Sequence, residues 1–452
     1  MVNFESSLAP ILMISAVASG QGKTTVTAAL ARYFRQAGKV VRVFKTGADF
    51  IDPMMLEQAS GDVVESLDLW LNGEEECRRL LHRAAQNADL VLIEGVMGLY
   101  DGAPSSADLA NAFEVPVVAV VDASAMAQTV GAVALGLRDF GPVKLAGVIA
   151  NRIASDGHLQ MVKSALRDIP LLASLLRQPC TLPERHLGLV LPEEQIDLEQ
   201  TLDQLGSSLR LETEAWAQLL SANNAQNFAV QSGRTQAVNV LPETAKLLQG
   251  KTIAIARDAA FAFIYPANLA CLKALGAQLE YFSPLRNEAV PEHADAVFLP
   301  GGYPELHAKA LQDAHVWQAS IRRAHRQCLP IYAECGGMMS LGEQLVDSQG
   351  KSWDMAGLLP GVIHMQKSLQ ALGMQSIQNA HGELRGHTFH FSRFDTHLTP
   401  NQFTLKHIAH EKTLAPVEGE AIYKLNGLHA SYFHAYFSSN PRASAHLFLK
   451  ME

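Results

Sequence analysis

Apolar residues in this chain gather into short, nearly continuous runs. Ile11 to Ser15, Val40 to Phe44, the run closing at Glu94, VPVVAVVDAS and VKLAGVIANR are each bounded by glycine, proline or polar residues. Each leads into a segment with helical spacing, such as Glu74 to Asn87, where Glu75/Arg79 and Arg79/Arg83 stand one turn apart. Buried strands alternating with helices predict an α/β protein built on a doubly wound parallel sheet. The alternation breaks over 195–245, which reads as helix and then the polar segment SANNAQNFAVQSGRTQAVN. Its Asn, Gln and Ser content marks a linker. The alternation resumes at GKTIAIARDAAFAFIYPANLACLKALGAQLEYFSPL, a strand, a loop, a helix and a second strand. The expected division is a first domain over 1–225, a linker over 226–248 and a second domain over 249–452. A chain of 452 residues is long enough for two cores.

Composition narrows the class. With 48% hydrophobic and 18% charged residues, the chain reads as a folded, soluble protein. A net charge of −9 argues against nucleic acid or an anionic membrane as main partner, while leaving room for an anionic small molecule held by local charge. The five cysteines (77, 180, 271, 328 and 335) include no CxxC pair, which suits a reducing cytoplasm and offers no zinc or disulfide framework. MVNFESSLAP carries an acid and no basic n-region, unlike a secretory signal. Val115 to Leu137, the most apolar region, is interrupted by Asp122 and Gln128 and reads as a buried strand followed by a helix rather than a membrane span.

The first apolar strand is followed by SGQGKTT, the core of a phosphate-binding loop. Gly20 and Gly22 let backbone amides turn toward phosphate, Lys23 reaches the β/γ oxygens, and Thr24, followed by Thr25, can ligate Mg²⁺. Val17 stands where the full pattern has its first glycine. The loop KTGADFIDP brings Lys45, Asp49 and Asp52 to the carboxyl end of the next strand, where ligands of open α/β sheets bind. Glu94 at a strand tip has the place of a Mg²⁺ ligand or water holder, and Asp101 can face the same cleft. Asn151 and Arg152 are placed for a nucleotide base or phosphate, and Arg185 and His186 for another rim loop within 182–194.

A different chemistry is readable in LPIYAECGGMMSL. It predicts a strand, an exposed Cys335, and two glycines opening a helix, a turn that pushes a nucleophile out of a sheet. The helix N-terminus is expected to favour the thiolate. A buried, inert cysteine is the alternative. Gly301 and Gly302 end the preceding strand, and an amide at Gly302 with that of Gly336 could stabilise a tetrahedral oxyanion. A thiol nucleophile needs an imidazole base. GLHASYFHAYF, read as a strand-like run of alternating aromatics, supplies His429 and His434, and LRGHTFHFSRF supplies His387 and His390.

Taken together, SGQGKTT, KTGADFIDP, EGVMGLYDG, LPERHLGL, LPGGYPE, AECGGMM, LRGHTFHFSR and SYFHAYF resemble the cobyrinic acid a,c-diamide synthase family, over essentially the whole chain. The resemblance implies an N-terminal P-loop synthetase domain, similar in fold to dethiobiotin synthetase, and a C-terminal class I-like glutamine amidotransferase domain. It implies ATP and Mg²⁺ as cofactors, with Gly20, Gly22, Lys23, Thr24, Thr25 and Asn151 on the nucleotide and Thr24, Asp49 and Glu94 on the metal. Asp49 and Asp101 would lie at the synthetase centre. Cys335 would be the glutaminase nucleophile and His434 its base. The acid that follows the base in related triads is absent, and Tyr436 and Thr388 depart from the family pattern. The implied partners are small molecules (a corrin polycarboxylate, glutamine and ATP), with a homodimer left open. Alternatives are the same reaction on hydrogenobyrinic acid or another tetrapyrrole, and a P-loop ATPase whose second domain is a degenerate binding module.

Overall fold

A computed structural model describes residues 8–177, 184–185, 188–189, 191–222, 246–407 and 417–450. The chain divides into two compact units, Met1–Val238 and Asn239–Glu452. Most of the expected linker, and His186, lie outside the described residues; Arg185 pairs through its backbone with Gly188.

In the N-terminal unit the strands stand in the order Leu209–Leu211, Leu171–Leu176, Leu145–Ile153, Val117–Asp122, Ile11–Ala16, Leu90–Glu94, Val41–Lys45, Glu65–Ser66. All neighbours are parallel except the first pair. Helices cover both faces of such a sheet, so its strands must be apolar at successive positions rather than at alternate ones. Ile11–Ala16 and Leu90–Glu94 are accordingly buried at every residue. The short antiparallel edge strand Leu209–Leu211 falls where helix alone was expected; three residues are too few for a period to register. Val115 to Leu137 divides as expected into the strand Val117–Asp122 and the helix Thr129–Phe140, and no described helix is long and apolar enough to cross a membrane.

Strand order reverses about Ile11–Ala16, and at such a point the loops on either side diverge and leave a crevice. Register aligns the tips around it. Glu94 pairs with Ile14 on one side and Lys45 on the other, while Asp122 pairs with Asn151. The helix Lys23–Gln36 leaves the crevice from Gly22, whose φ of 82° suits glycine, and ends just before Gly38.

The C-terminal unit holds a ten-stranded sheet whose first five strands, Gln278–Phe282, Thr252–Ala256, Ala296–Leu299, Ile331–Glu334 and Leu428–Ser431, are parallel. The remainder is antiparallel, and a four-stranded sheet stands beside it. GLHASYFHAYF is not one strand. Leu428–Ser431 pairs with Ile331–Glu334, and after Tyr432 the chain switches so that Phe433–Ala435 pairs with Gly382–His390. That switch sets His434 opposite His387.

Trp317 on the helix His315–Arg326 is fully buried, its ring 6.1 Å from Phe261. Trp317→Ala should destabilise this unit by about 3–5 kcal/mol. Urea unfolding followed by circular dichroism would check it; a loss below about 1 kcal/mol would show that the site collapses around the void.

Candidate active site

The N-terminal unit gathers its polar side chains at the crevice. Lys23 curls back to donate to the Ala18 carbonyl at 3.0 Å, so the loop closes around its ammonium. A Cβ on Gly22 would strike the Asn151 side-chain amide, which donates to the Gln21 carbonyl at 3.0 Å. Asn151 is buried and its oxygen accepts the Arg152 amide, so this residue braces the loop from below. Gln21 in turn accepts the Asp122 amide at 3.1 Å.

The Thr24 hydroxyl lies 2.8 Å from Glu94 and 3.1 Å from Asp52, and can donate to either. Lys45 stands 3.3 Å from Glu94, 3.5 Å from Asp52 and 3.8 Å from Asp49. Asp49 also accepts the Ile51 and Asp52 amides. Asp101 accepts the Gly98 amide at 3.1 Å, and a Cβ on Gly98 would meet both that carboxylate and the Val17 carbonyl. The glycine thereby lets the loop of Asp101 lie against the phosphate loop. Of the expected set, Lys23, Thr24, Asp49, Glu94 and Asp101 share one neighbourhood. Thr25 lies on the same helix as Thr24, and Gly20 turns with a φ of 76°.

Electrostatics follow from burial. For Lys45, burial favours the neutral amine, yet Glu94, Asp52 and Asp49 hold it charged and well above an ordinary lysine. Lys23 is lowered to about 8, first by burial and then by Lys45. Asp49 rises to about 7 through burial and the neighbouring Asp52, and burial raises Glu94 too. Two lysines face four carboxylates, and Glu94 Oε2 is buried without a hydrogen-bond partner. That excess of negative charge and the orphaned oxygen fit a divalent cation. Among the described residues no group of three or more His, Cys, Asp or Glu forms a metal cage. Mg²⁺ needs none, because phosphate oxygens and water complete its shell. Asp52 reaches Thr24 directly, whereas Asp49 reaches Lys45.

In the C-terminal unit Cys335 follows the strand Ile331–Glu334 with φ 44° and ψ −106°, a conformation L-residues adopt only under constraint. The cause is crowding behind it. A Cβ on Gly336 would sit 2.8 Å from both backbone atoms N and O of Gly302, and one on Gly337 would collide with the Leu299 carbonyl. The two glycine turns therefore pack backbone to backbone. A Cβ on Gly301 would strike the ring of His434, so the imidazole lies over the same turn.

The expectation of an exposed, acidified thiol is corrected. Cys335 is 5% exposed, and its helix, Gly336–Met339, is too short to develop a dipole of consequence. Burial, then the charge of Glu305, pushes the thiol up, with the Gly336 amide acting against them. Deprotonation here needs a base rather than a helix terminus.

His434 is buried and stacks on His387, ring centroids 4.9 Å apart. Burial lowers its pKa well below the ordinary value, so it stands as a neutral acceptor. Its rivals are held elsewhere. His390 contacts the Ser392 carbonyl at 2.8 Å and Glu420 at 3.3 Å, His387 contacts the Tyr265 hydroxyl at 3.2 Å, and His429 sets its ring against Tyr332. One residue escaped the sequence reading. Glu334 is buried, accepts the Ala435 amide at 2.9 Å, and places Oε2 3.8 Å from His434 Nδ1. The signal was an acid closing an apolar strand, which had singled out Glu94.

Residues 12–190 match the family model of the CobQ/CobB/MinD/ParA nucleotide binding domain, and residues 252–442 that of the CobB/CobQ-like glutamine amidotransferase domain. A cobyrinate a,c-diamide synthase of Herminiimonas arsenicoxydans is 56% identical over 97% of this chain and 97% of its own. Hydrogenobyrinate a,c-diamide synthases of Stutzerimonas stutzeri and Pseudomonas aeruginosa are 50% and 46% identical, each over 97% of this chain and 98% and 97% of theirs. Joined in one polypeptide, a nucleotide-binding unit and an amidotransferase unit of these two kinds, matched end to end, place this chain in the cobyrinate a,c-diamide synthase family.

Proposed function

We propose that this chain is a carbon–nitrogen ligase of cobalamin biosynthesis, converting the a and c carboxylates of a cobyrinic acid-type ring to amides with ATP and glutamine. The observation that carries the reading is the pairing of two different centres in one chain. One is a phosphate loop facing buried carboxylates, and the other a cysteine elbow beside a glycine turn and a neutral imidazole.

A carboxylate does not react with ammonia in water because its oxygen is a poor leaving group. The synthetase unit would overcome this by moving the γ-phosphoryl group of ATP onto the carboxylate, giving an acyl phosphate whose phosphate ammonia displaces. Lys23 and the loop amides at Gly20 and Gly22 would hold the triphosphate, and Thr24, Glu94 and Asp52 or Asp49 would hold Mg²⁺. Bound there, Mg²⁺ would neutralise charge on the transferring group. Lys45 would keep the carboxylates compensated before it arrives, and Asp101, across the loop from Lys23, would face the acid to be activated.

In the amidotransferase unit the thiol proton of Cys335 would pass to His434 as sulfur attacks the amide carbon of glutamine. The Gly302 and Gly336 amides would receive the oxyanion. Collapse breaks the carbon–nitrogen bond, the imidazolium returns the proton to the leaving nitrogen, and ammonia departs. Water then cleaves the thioester to glutamate and restores the thiol. A degenerate binding module would have no use for the strained backbone at Cys335. The ring named in the relatives differs in whether it carries cobalt; parallel assays with cobyrinate and hydrogenobyrinate, read by product mass, identify the one this chain accepts.

Cys335→Ala should abolish glutamine-dependent synthesis, a fall of about a thousandfold or more, and retain synthesis from added ammonia. Equal loss with both nitrogen sources would refute the division of labour. Asp101→Ala should behave in the opposite sense, losing synthesis with either source and keeping glutamine hydrolysis; lost hydrolysis would remove Asp101 from the synthetase centre. Lys23 attracts phosphate only while protonated, and its pKa lies at about 8. The ATP dissociation constant should therefore rise severalfold from about pH 7 to about pH 9 and be flat in Lys23→Met, as calorimetry would show.

A further inference from the structure

The base of the amidotransferase centre needs something to orient it. A neutral imidazole can accept a thiol proton on only one ring nitrogen, and it does so reliably only when the other keeps its hydrogen. In other proteins with a nucleophile and a histidine, a buried acid enforces this, and here the position two residues after His434 is Tyr436. The acid comes instead from the residue before the nucleophile.

Glu334 closes the strand Ile331–Glu334, and strand pairing holds it against Ser431. Its side chain is 2% exposed. One oxygen accepts the Ala435 amide at 2.9 Å, which ties the carboxyl group to the short strand carrying His434. The other oxygen lies 3.8 Å from His434 Nδ1. The charged and titratable groups around the pair are Tyr332 on the same strand, Cys335 beyond it with Glu305 and Glu420 acting on its thiol, His387 stacked on the imidazole, and His390, which Glu420 contacts, farther along the strand of His387.

We propose that Glu334 is the positioning acid of the glutaminase centre, accepting Nδ1–H of His434 so that Nε2 takes the thiol proton and stabilising the imidazolium that results. The inference rests on Cys335 and His434 being nucleophile and base. At 3.8 Å the pair is an ion-pair contact rather than a hydrogen bond, and this role requires the gap to shorten as positive charge develops on the ring. Burial raises Glu334 to about 8, so its carboxylate form, the one that can accept Nδ1–H, gains population as the pH rises through that value. The Glu therefore unites two duties. It satisfies a buried backbone amide, which any oxygen acceptor could do, and it selects a tautomer and stabilises the imidazolium, the last of which calls for an anion.

Glu334→Gln separates the two. The amide keeps size and the oxygen facing Ala435, yet its NH₂ donates to Nδ1, moves the ring proton to Nε2 and leaves no acceptor for the thiol. In the full-length enzyme, Glu334→Ala and Glu334→Gln should each lower kcat for glutamine hydrolysis by about a hundredfold or more. The KM for glutamine should change less than about threefold, and ammonia-dependent synthesis should match the wild type. The rise of wild-type hydrolysis through about pH 8 should vanish in Glu334→Gln. Glu334→Gln hydrolysing glutamine within about threefold of wild type, or a pH limb that survives it, would overturn the proposal and leave only the bond to Ala435. Loss of ammonia-dependent synthesis in both variants would do so as well. Cys335→Ala and His434→Ala run in parallel; wild-type hydrolysis in either would refute the nucleophile and base reading itself, a failure distinct from that of Glu334.

Discussion

Close backbone contact between two glycine turns governs the C-terminal unit. Gly336 and Gly337 press against Gly302 and Leu299 so tightly that a methyl group on either glycine would displace backbone. The chain entering that contact cannot continue as a strand or begin a helix without an abrupt change of direction, and Cys335 absorbs it with a positive φ. Such strain costs on the order of 1–3 kcal/mol, which the fully buried parallel strands on either side must cover. What the strain achieves is placement. The thiol, two backbone amides and the His434 ring over Gly301 come into one locality although 133 positions separate Gly301 from His434 along the chain.

The N-terminal unit solves a different problem, that of gathering like charges. Glu94, Asp52 and Asp49 are drawn together, burial disfavours Glu94 and Asp49 as anions, and Lys45 makes the arrangement tenable. The compensation is local and incomplete, since Glu94 keeps an unpartnered oxygen. A site built in this way favours an added positive charge, and the phosphate loop beside it supplies the opposite preference through Lys23 and its amides. The two preferences together suit a metal–nucleotide pair better than either component alone.

Both centres therefore use the same device, an acid buried at the tip of a parallel strand. Glu94 answers a lysine and a threonine, and Glu334 answers a histidine and a backbone amide. Parallel strands end together at one edge of a sheet, so a residue at a strand tip is carried to the ligand-binding edge by topology alone. The partner it meets decides which chemistry it serves.

Much of this was legible in the linear chain. Apolar runs announced parallel strands because a strand covered on both faces has no polar side to show, and SGQGKTT and AECGGMM stood at strand ends where loops bind phosphate or expose nucleophiles. Local residue types thus determined the parallel strands of both units, the phosphate loop and the elbow. The tertiary structure alone decided the rest, because it depends on neighbours distant in sequence. Burial of the Cys335 thiol is imposed by surrounding elements and reverses the acidity that a helix terminus would confer. The break at Tyr432, which turns one apparent strand into two, comes from pairing with Gly382–His390. That pairing brings His434 rather than His390 over Gly301 and within reach of Glu334. Periodicity records which face of an element is apolar; it carries no information about which distant side chain that face will meet.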